Sequence, residues 1–313
     1  MVTNDSKPGG LTLALFAMAV VVGGANFIGV RFSNRELDPF WGAALRFTIA
    51  ASLFLIIAAA LKLPWPRRRH LWLNVVYGLL SFSLSYALMY WALVQVSAGV
   101  ATVVLAIVPL VTLLLAASQG MEKLGIRSVI GSLLAIVGII WMSLGPQDVV
   151  LPFTALLAML LAALSMGESV IIGKKLSGYH PAITNAVGMT AGAIMLLALS
   201  AAVGDEWVVP SQPEVIWSVI YLVTIGSVGL FVLVILVVRQ RTASATSYVF
   251  VLFPIVTMLL GAWIADEPIT GQGVTGALLV MSGVWFGALS PKARLGSNST
   301  SDRPHHHTPR HVF

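Results

Sequence analysis

Residues 95–122 read QVSAGVATVVLAIVPLVTLLLAASQGME, and residues 240–267 read QRTASATSYVFVLFPIVTMLLGAWIADE. Placed one above the other, Gln95 falls on Gln240, Ala98 on Ala243, Pro109 on Pro254, Thr112 on Thr257 and Glu122 on Glu267. The same register continues into Gly131 with Gly276 and Gly138 with Gly283. Apolar bias alone matches Leu and Val by chance, but it does not bring Gln, Pro, Thr, Glu and Gly into one register. The chain therefore contains an internal repeat. Upstream, a slightly shorter offset pairs Thr12 with Thr154 and Pro39 with Pro181, so the halves differ by a small loop change.

The repeated stretches are apolar, and so is the rest of the chain. Of 313 residues, 58% are hydrophobic and 10% charged, with a mean hydropathy of +0.93. A soluble domain carries roughly 25% charged residues, so this composition cannot make a soluble surface. The apolar material comes in runs of about 20 residues, the length that crosses a hydrocarbon core of roughly 30 Å as a helix. Ten such spans are read at 11–30, 40–61, 71–91, 99–119, 127–144, 151–173, 182–203, 215–238, 245–265 and 273–289. The expected fold is an all-α membrane protein of ten transmembrane helices, with the lipid bilayer as its partner and a cell membrane as its location. Residues 1–10 form a short cytoplasmic N-terminus, 11–145 and 151–290 the two five-helix repeats, and 291–313 a polar tail expected to be disordered. The His305, His306 and His307 run in that tail reads as solvated chain rather than a metal site.

Orientation follows from the basic residues. With the N-terminus inside, Lys7, Lys62, Arg67, Arg68, Arg69, Lys123, Arg127, Lys174, Lys175, Arg239, Arg241 and the basic residues of the tail are all cytoplasmic. The outer loops then hold only Arg31 and Arg35, and Arg46 lies within a span, a distribution that predicts N-in and C-in. Five spans per half is odd, so the second copy enters the membrane from the opposite side and the repeat is inverted, an arrangement common in secondary transporters. The net charge of +6 is thus topogenic and does not indicate a nucleic-acid partner. There is no cysteine, which removes disulfide and thiolate chemistry.

The residues from Ala92 to Gly145, with Ser97-Ala98-Gly99 at the start of a span, Pro109 in its middle, Glu122 at the loop and the Gly131/Gly138 helix after it, resemble the drug/metabolite transporter superfamily, specifically its ten-helix EamA-type exporters. Ala25-Asn26-Phe27 followed by Ala44-Leu45-Arg46-Phe47 is similar to that family's first two spans. The resemblance covers both repeats. It implies a secondary transporter that exports amino acids or related small metabolites. Gly23-Gly24 and Met166 stand where such proteins often carry tryptophan, which implies a differently shaped cavity.

Several polar residues sit within the apolar spans. Glu168 is the only acid inside one, at a cost of about 2.5–3.5 kcal/mol near the bilayer centre. It reads either as a proton or substrate-amine site, or as a structural group reaching toward Lys174 or Lys175. Arg46 reads either as an attractor of a substrate carboxylate or phosphate, or as a structural cation that pairs with Glu36 or Asp38 or caps the carbonyls of a broken helix. Asn26 aligns with Glu168 in the two halves, which suggests two gates of one pathway. Tyr77, Ser81 and Ser85, with Asn74, recur at helical spacing as one polar stripe, and Tyr86 and Tyr90 form a second. Pro109 and Pro254 break helical hydrogen bonds in equivalent spans, with Thr102, Ser247 and Tyr248 nearby, and are the expected moving parts. Gly188-x-x-x-Gly192 and Gly283-x-x-x-Gly287 permit close helix contact. No zinc-protease, phosphate-loop or serine-elbow motif is present, and neither a cofactor nor a metal is expected. A membrane enzyme on a lipid-soluble substrate is the alternative function. Its only candidate chelators, Asp205-Glu206 and Asp266-Glu267, are read as solvated helix ends.

Overall fold

The computed structural model describes residues 10–121, 124–143, 152–176, 178–233 and 248–289. Glu122, Ser247, the tail and its histidines lie outside them. Among the described residues the chain is helical throughout: α1 (Gly10–Ser33), α2 (Pro39–Ala60), α3 (Arg68–Gln95), α4 (Ala98–Ser118), α5 (Ile126–Ser143), α6 (Phe153–Lys175), α7 (Pro181–Val203), α8 (Pro213–Leu233), α9 (Tyr248–Ile264) and α10 (Gly271–Val284). Seven of these helices, α1–α4 and α6–α8, are long and apolar enough to cross a membrane; the described parts of α5, α9 and α10 are shorter. The chain is a multi-pass membrane protein. Large apolar side chains such as Ile56, Leu133, Ile194 and Leu259 point outward, as a surface solvated by acyl chains requires.

Local chemistry fixes where the helices begin. Proline opens α2, α7 and α8 at Pro39, Pro181 and Pro213, where its missing N–H would have had no helical partner. Ser97 and Thr270 cap α4 and α10 by accepting from the N–H groups of Val100 (3.3 Å) and Gly273 (3.0 Å). Gly204 ends α7 in the left-handed conformation, φ 81°, which suits a residue without Cβ.

The packing repeats the sequence repeat. Swapping each helix for its counterpart in the other half returns the main contacts: α2 packs on α7, α5 on α10, α1 on both α8 and α9, and α6 on both α3 and α4. Counterparts run antiparallel. Trp41, at the start of α2, stacks on Trp207 just past the end of α7, with centroids 5.0 Å apart. Along α5 and α10, Ser128 Oγ donates to the Gly287 carbonyl (3.0 Å), while Trp141 Nε1, at the other end, donates to Thr275 (3.0 Å). The aligned glycines form this contact. Gly131 meets the backbone of Gly283 and Gly287, and Gly138 meets that of Gly276. Gly188 and Gly192 receive Gly78 and Phe82 of α3 in the same way, so both small-residue motifs serve close packing.

Two local features lie within this frame. α3 and α8 each contain a π-helical turn, Leu79–Leu84 and Thr224–Gly229, at equivalent positions of the two repeats. Such turns free carbonyls from the helical ladder and concentrate at functional positions. α4 is interrupted at Ala106 and Ile107, just before Pro109, whereas α9 runs unbroken through Pro254.

Candidate functional site

Within the α8 π-turn, the Gly226 carbonyl accepts from two side chains of the other half of the chain. Asn26 Nδ2 on α1 and Arg46 Nη2 on α2 both donate to it at 3.0 Å. Arg46 Nε also donates to Ser227 Oγ at 2.8 Å. The guanidinium is 1% exposed and lies over the rings of Tyr86 (5.0 Å) and Phe47 (5.2 Å), a cation–π arrangement. Tyr90, one turn further along α3, lies 6.5 Å from Tyr86, and Tyr221 Oη donates to the Val22 carbonyl at 2.9 Å. Asn26, Arg46, Tyr86 and Tyr90 therefore meet in one buried polar cluster. Arg46 reaches neither Glu36 nor Asp38, and takes instead the carbonyls of a broken helix. Gly226, Ser227 and Tyr221 complete the cluster but were not singled out in the sequence, where the stretch 224–229 reads as small and apolar.

The remaining predicted residues lie apart. In α3, Ser85 Oγ (2.7 Å) and Ser165 Oγ from α6 (2.9 Å) both donate to the Leu80 carbonyl in the first π-turn. Tyr77 stands edge-on to Phe82, and Ser81, inside the turn, lies beside its hydroxyl. Thr102 Oγ1 donates to the Ala98 and Gly99 carbonyls of its own helix (3.1 and 2.8 Å). Tyr248 begins α9, and its side chain lies outside the described residues. Glu168 is half-buried and accepts from Gln119 Nε2 at 2.8 Å, not from Lys174 or Lys175.

Loops 34–38 and 204–212 close one end of the bundle on each other. Asp38 accepts from Glu206 N (2.8 Å), Asp205 from Trp41 N (2.9 Å), and Glu36 from the hydroxyl and N–H of Ser211 and the N–H of Gln212 (2.5, 2.8 and 3.0 Å). The Ser211 hydroxyl, followed by the Gln212 N–H, lowers the Glu36 pKa below its usual 4.5. The contribution of Glu36 to this closure is therefore fully present above that value and is lost as pH falls through the lowered one.

One expectation is corrected. Glu267 is not a solvated helix end. Its carboxylate accepts from the Ala98 and Gly99 N–H groups at the start of α4 (2.9 and 3.4 Å), pairs with Arg31 (3.4 Å), and is 10% exposed. An acid on the positive end of a helix dipole is a stabilising arrangement. Glu267→Ala is expected to destabilise the protein by about 1–3 kcal/mol, because it strands two N–H donors and one cation. Thermal unfolding in detergent measures the loss, and Glu267→Gln should recover part of it.

The comparisons with known proteins agree with this architecture. The EamA-like transporter family matches residues 10–144 and again 153–288. A transporter of Archaeoglobus fulgidus is 26% identical over 87% of this chain and 96% of its own. The inner membrane transporter YedA of Escherichia coli K12 is 27% identical over 82% and 83%. A protein of Salmonella typhimurium described as a probable amino-acid metabolite efflux pump is 27% identical over 90% and 95%. A solved crystal structure shares the fold, with a TM-score of 0.63 over 90% of this chain and 98% of the other at 18% identity. With its repeats, their antiparallel pairing and both halves matched, the chain belongs to the EamA-like transporter family.

Proposed function

We propose that the chain is a secondary transporter of the cell membrane that exports amino acids or related small metabolites by alternating access. In this reading ten helices cross the bilayer with both termini in the cytoplasm, so the closed end made by loops 34–38 and 204–212 faces outward. The observation that carries the proposal is the Arg46 cluster. A polar group of α1, α2 and α3 is buried against the π-turn of α8, where the two antiparallel halves meet, and Arg46 is the only fully buried charged side chain among the described residues. Ionisable residues at such depth are expensive and mark substrate or ion pathways. The export direction and the amino-acid class follow the name of the Salmonella typhimurium relative. The family's transport activity favours this reading over a membrane enzyme.

Proton coupling is assigned to Glu168. Its partner Gln119 can donate an N–H to the carboxylate or, with the amide turned, accept from the carboxylic acid, so both protonation states can be held. The test is flux of an amino-acid panel in proteoliposomes, with and without a pH gradient. Glu168→Gln should lower gradient-driven flux at least ~10-fold, the scale of one lost acid–base group, while exchange without a gradient continues. Unchanged gradient-driven flux in that variant removes the proton role. No flux of any substrate in the wild type removes the transport reading.

A further inference from the structure

Arg67, Arg68 and Arg69 occupy the N-cap and the first two helical positions of α3. A helix N-terminus is itself electropositive, and acids are the residues that favour it. Here the first turn holds no acid, and no side chain caps it. Lys174 and Lys175, by contrast, close α6 at the end where cations are favoured. Among the described residues no carboxylate stands within ion-pair distance of Lys62, the three arginines or these two lysines. A topogenic charge works anywhere in a loop. Three guanidinium groups gathered on one first turn repel one another and the helix end, so the arrangement gains from an anion supplied from outside the chain.

The surroundings show what kind of anion fits. Arg68, Leu71 and Trp72 are spaced i, i+3 and i+4 and are all exposed, so they share one outward face of α3. That face begins with a cation and continues as apolar surface, with Trp72 65% exposed. Trp65, in the loop just before, is 62% exposed. Indoles placed in this way sit at the level of lipid headgroups. The loop is already held: Pro64 and Pro66 fix their own φ, Pro66 is buried, and Leu63 N donates to the Ala58 carbonyl at 3.0 Å. The first turn is also pinned to the loop after α6, where the His70 ring lies 5.1 Å from that of Tyr179. Little remains to be ordered on binding, which favours affinity.

We infer that the start of α3 is a binding site for an anionic phospholipid of the inner leaflet, with the phosphodiester on Arg67, Arg68 and Arg69 and an acyl chain along Leu71 and Trp72. The inference goes beyond the transport reading and takes from it only the N-in orientation, which sets the leaflet. Guanidinium forks match phosphate oxygens bidentately. Basic clusters beside a transmembrane helix are drawn to anionic lipids of the cytoplasmic leaflet. A zwitterionic lipid brings its own ammonium to the arginines and cancels part of the attraction, whereas phosphatidylglycerol keeps one net negative charge. A soluble phosphate satisfies the arginines but leaves the apolar part of the face uncovered.

The test uses the full chain in phosphatidylcholine nanodiscs that contain increasing shares of phosphatidylglycerol with brominated acyl chains, which quench nearby tryptophan. Quenching is expected to saturate at a low share of phosphatidylglycerol, at least ~10-fold below the share at which brominated phosphatidylcholine quenches equally. Trp65→Phe with Trp72→Phe should remove the saturable component. Arg68→Gln should weaken it about 5-fold, the worth of one cation at the membrane surface. Lysine at all three arginine positions keeps the topogenic charge but loses the forks, and should weaken it too. These positions are exposed, so both arginine variants should keep the wild-type unfolding temperature. Arg35→Gln, at an exposed cation paired with Glu214, should change nothing, and inorganic phosphate should not compete. Equal quenching by the two lipids, displacement by inorganic phosphate, a saturable component that survives loss of both tryptophans, or unchanged selectivity in both arginine variants overturns the inference. The transport reading, which is tested by flux, stands in each of those cases.

Discussion

Arg46→Met is expected to leave the protein folded and to lower its flux by at least ~100-fold, since truncating one partner of a desolvated charge contact costs about 2–5 kcal/mol in recognition. The stability side of the prediction comes from what Arg46 holds. Its removal costs the hydrogen bonds to Ser227 Oγ and the Gly226 carbonyl, but that carbonyl keeps Asn26 Nδ2 as a donor. Against this loss stands the removal of a buried charge that has no carboxylate partner among the described residues. Replacing buried ionic groups with apolar residues of similar volume is often neutral or stabilising by about 1–4 kcal/mol. The unfolding temperature should therefore stay close to that of the wild type while transport disappears. A purely structural arginine would give the opposite pattern, with a large fall in unfolding temperature and flux that recovers when corrected for folded protein. Thermal unfolding and proteoliposome flux on the same preparation separate the two.

Gly131→Val is expected to abolish the folded state. A Cβ at this position meets the Gly283 carbonyl and lies 2.5–2.6 Å from the Gly287 backbone. Neither obstacle can turn aside as a side chain would, so α5 and α10 must separate. Overpacking by single methylenes already costs typically 1–3 kcal/mol, and a branched side chain forced between two backbones should exceed about 4 kcal/mol, at the exceptional end for a point substitution. The pairing is reciprocal, because a Cβ on Gly283 lies 2.6 Å from the Gly131 carbonyl and 2.7 Å from the Ala135 nitrogen, so Gly283→Val should fail in the same way. Gly271→Ala is the control. It has no atom within 4 Å of its added Cβ and should behave as wild type. Size-exclusion profiles and unfolding temperatures in detergent are the readout; a wild-type profile for Gly131→Val would mean that the two helices are not packed this closely.

These two sites were legible in the sequence to different degrees. Gly131, Gly138, Gly276 and Gly283 stood out because an interface between equivalent helices imposes the same small residue twice, and the repeat preserves it. Pro39 and Pro181 were visible for a similar reason, since each opens a helix and needs no distant partner. The shared acid at Glu267 also appeared in the register, but its task did not. Capping α4 depends on a helix start 169 residues away, and nothing local to Asp266-Glu267 announces that contact. Arg46 was recognisable as costly, while its partners were not. The π-turns in α3 and α8 occupy equivalent positions, yet LLSFSL and TIGSVG share no residue in register. Their repetition is kept in backbone geometry alone, and it reaches the sequence through Asn26, Arg46, Ser85 and Ser165, the side chains that donate to carbonyls of the two turns.

α4 and α9 are counterparts, yet one is broken before its proline and the other is continuous. In a dimer of identical subunits such a difference would average out between two copies; in a single fused chain it is fixed to one half and so acquires a direction. Exchanging the two shapes, with α9 bent before Pro254 and α4 straightened past Pro109, would preserve the main helix contacts while turning the bundle over with respect to the membrane. On the proposed alternating-access reading, the chain carries a template for its own opposite state, and the bent helix marks which of the two is occupied.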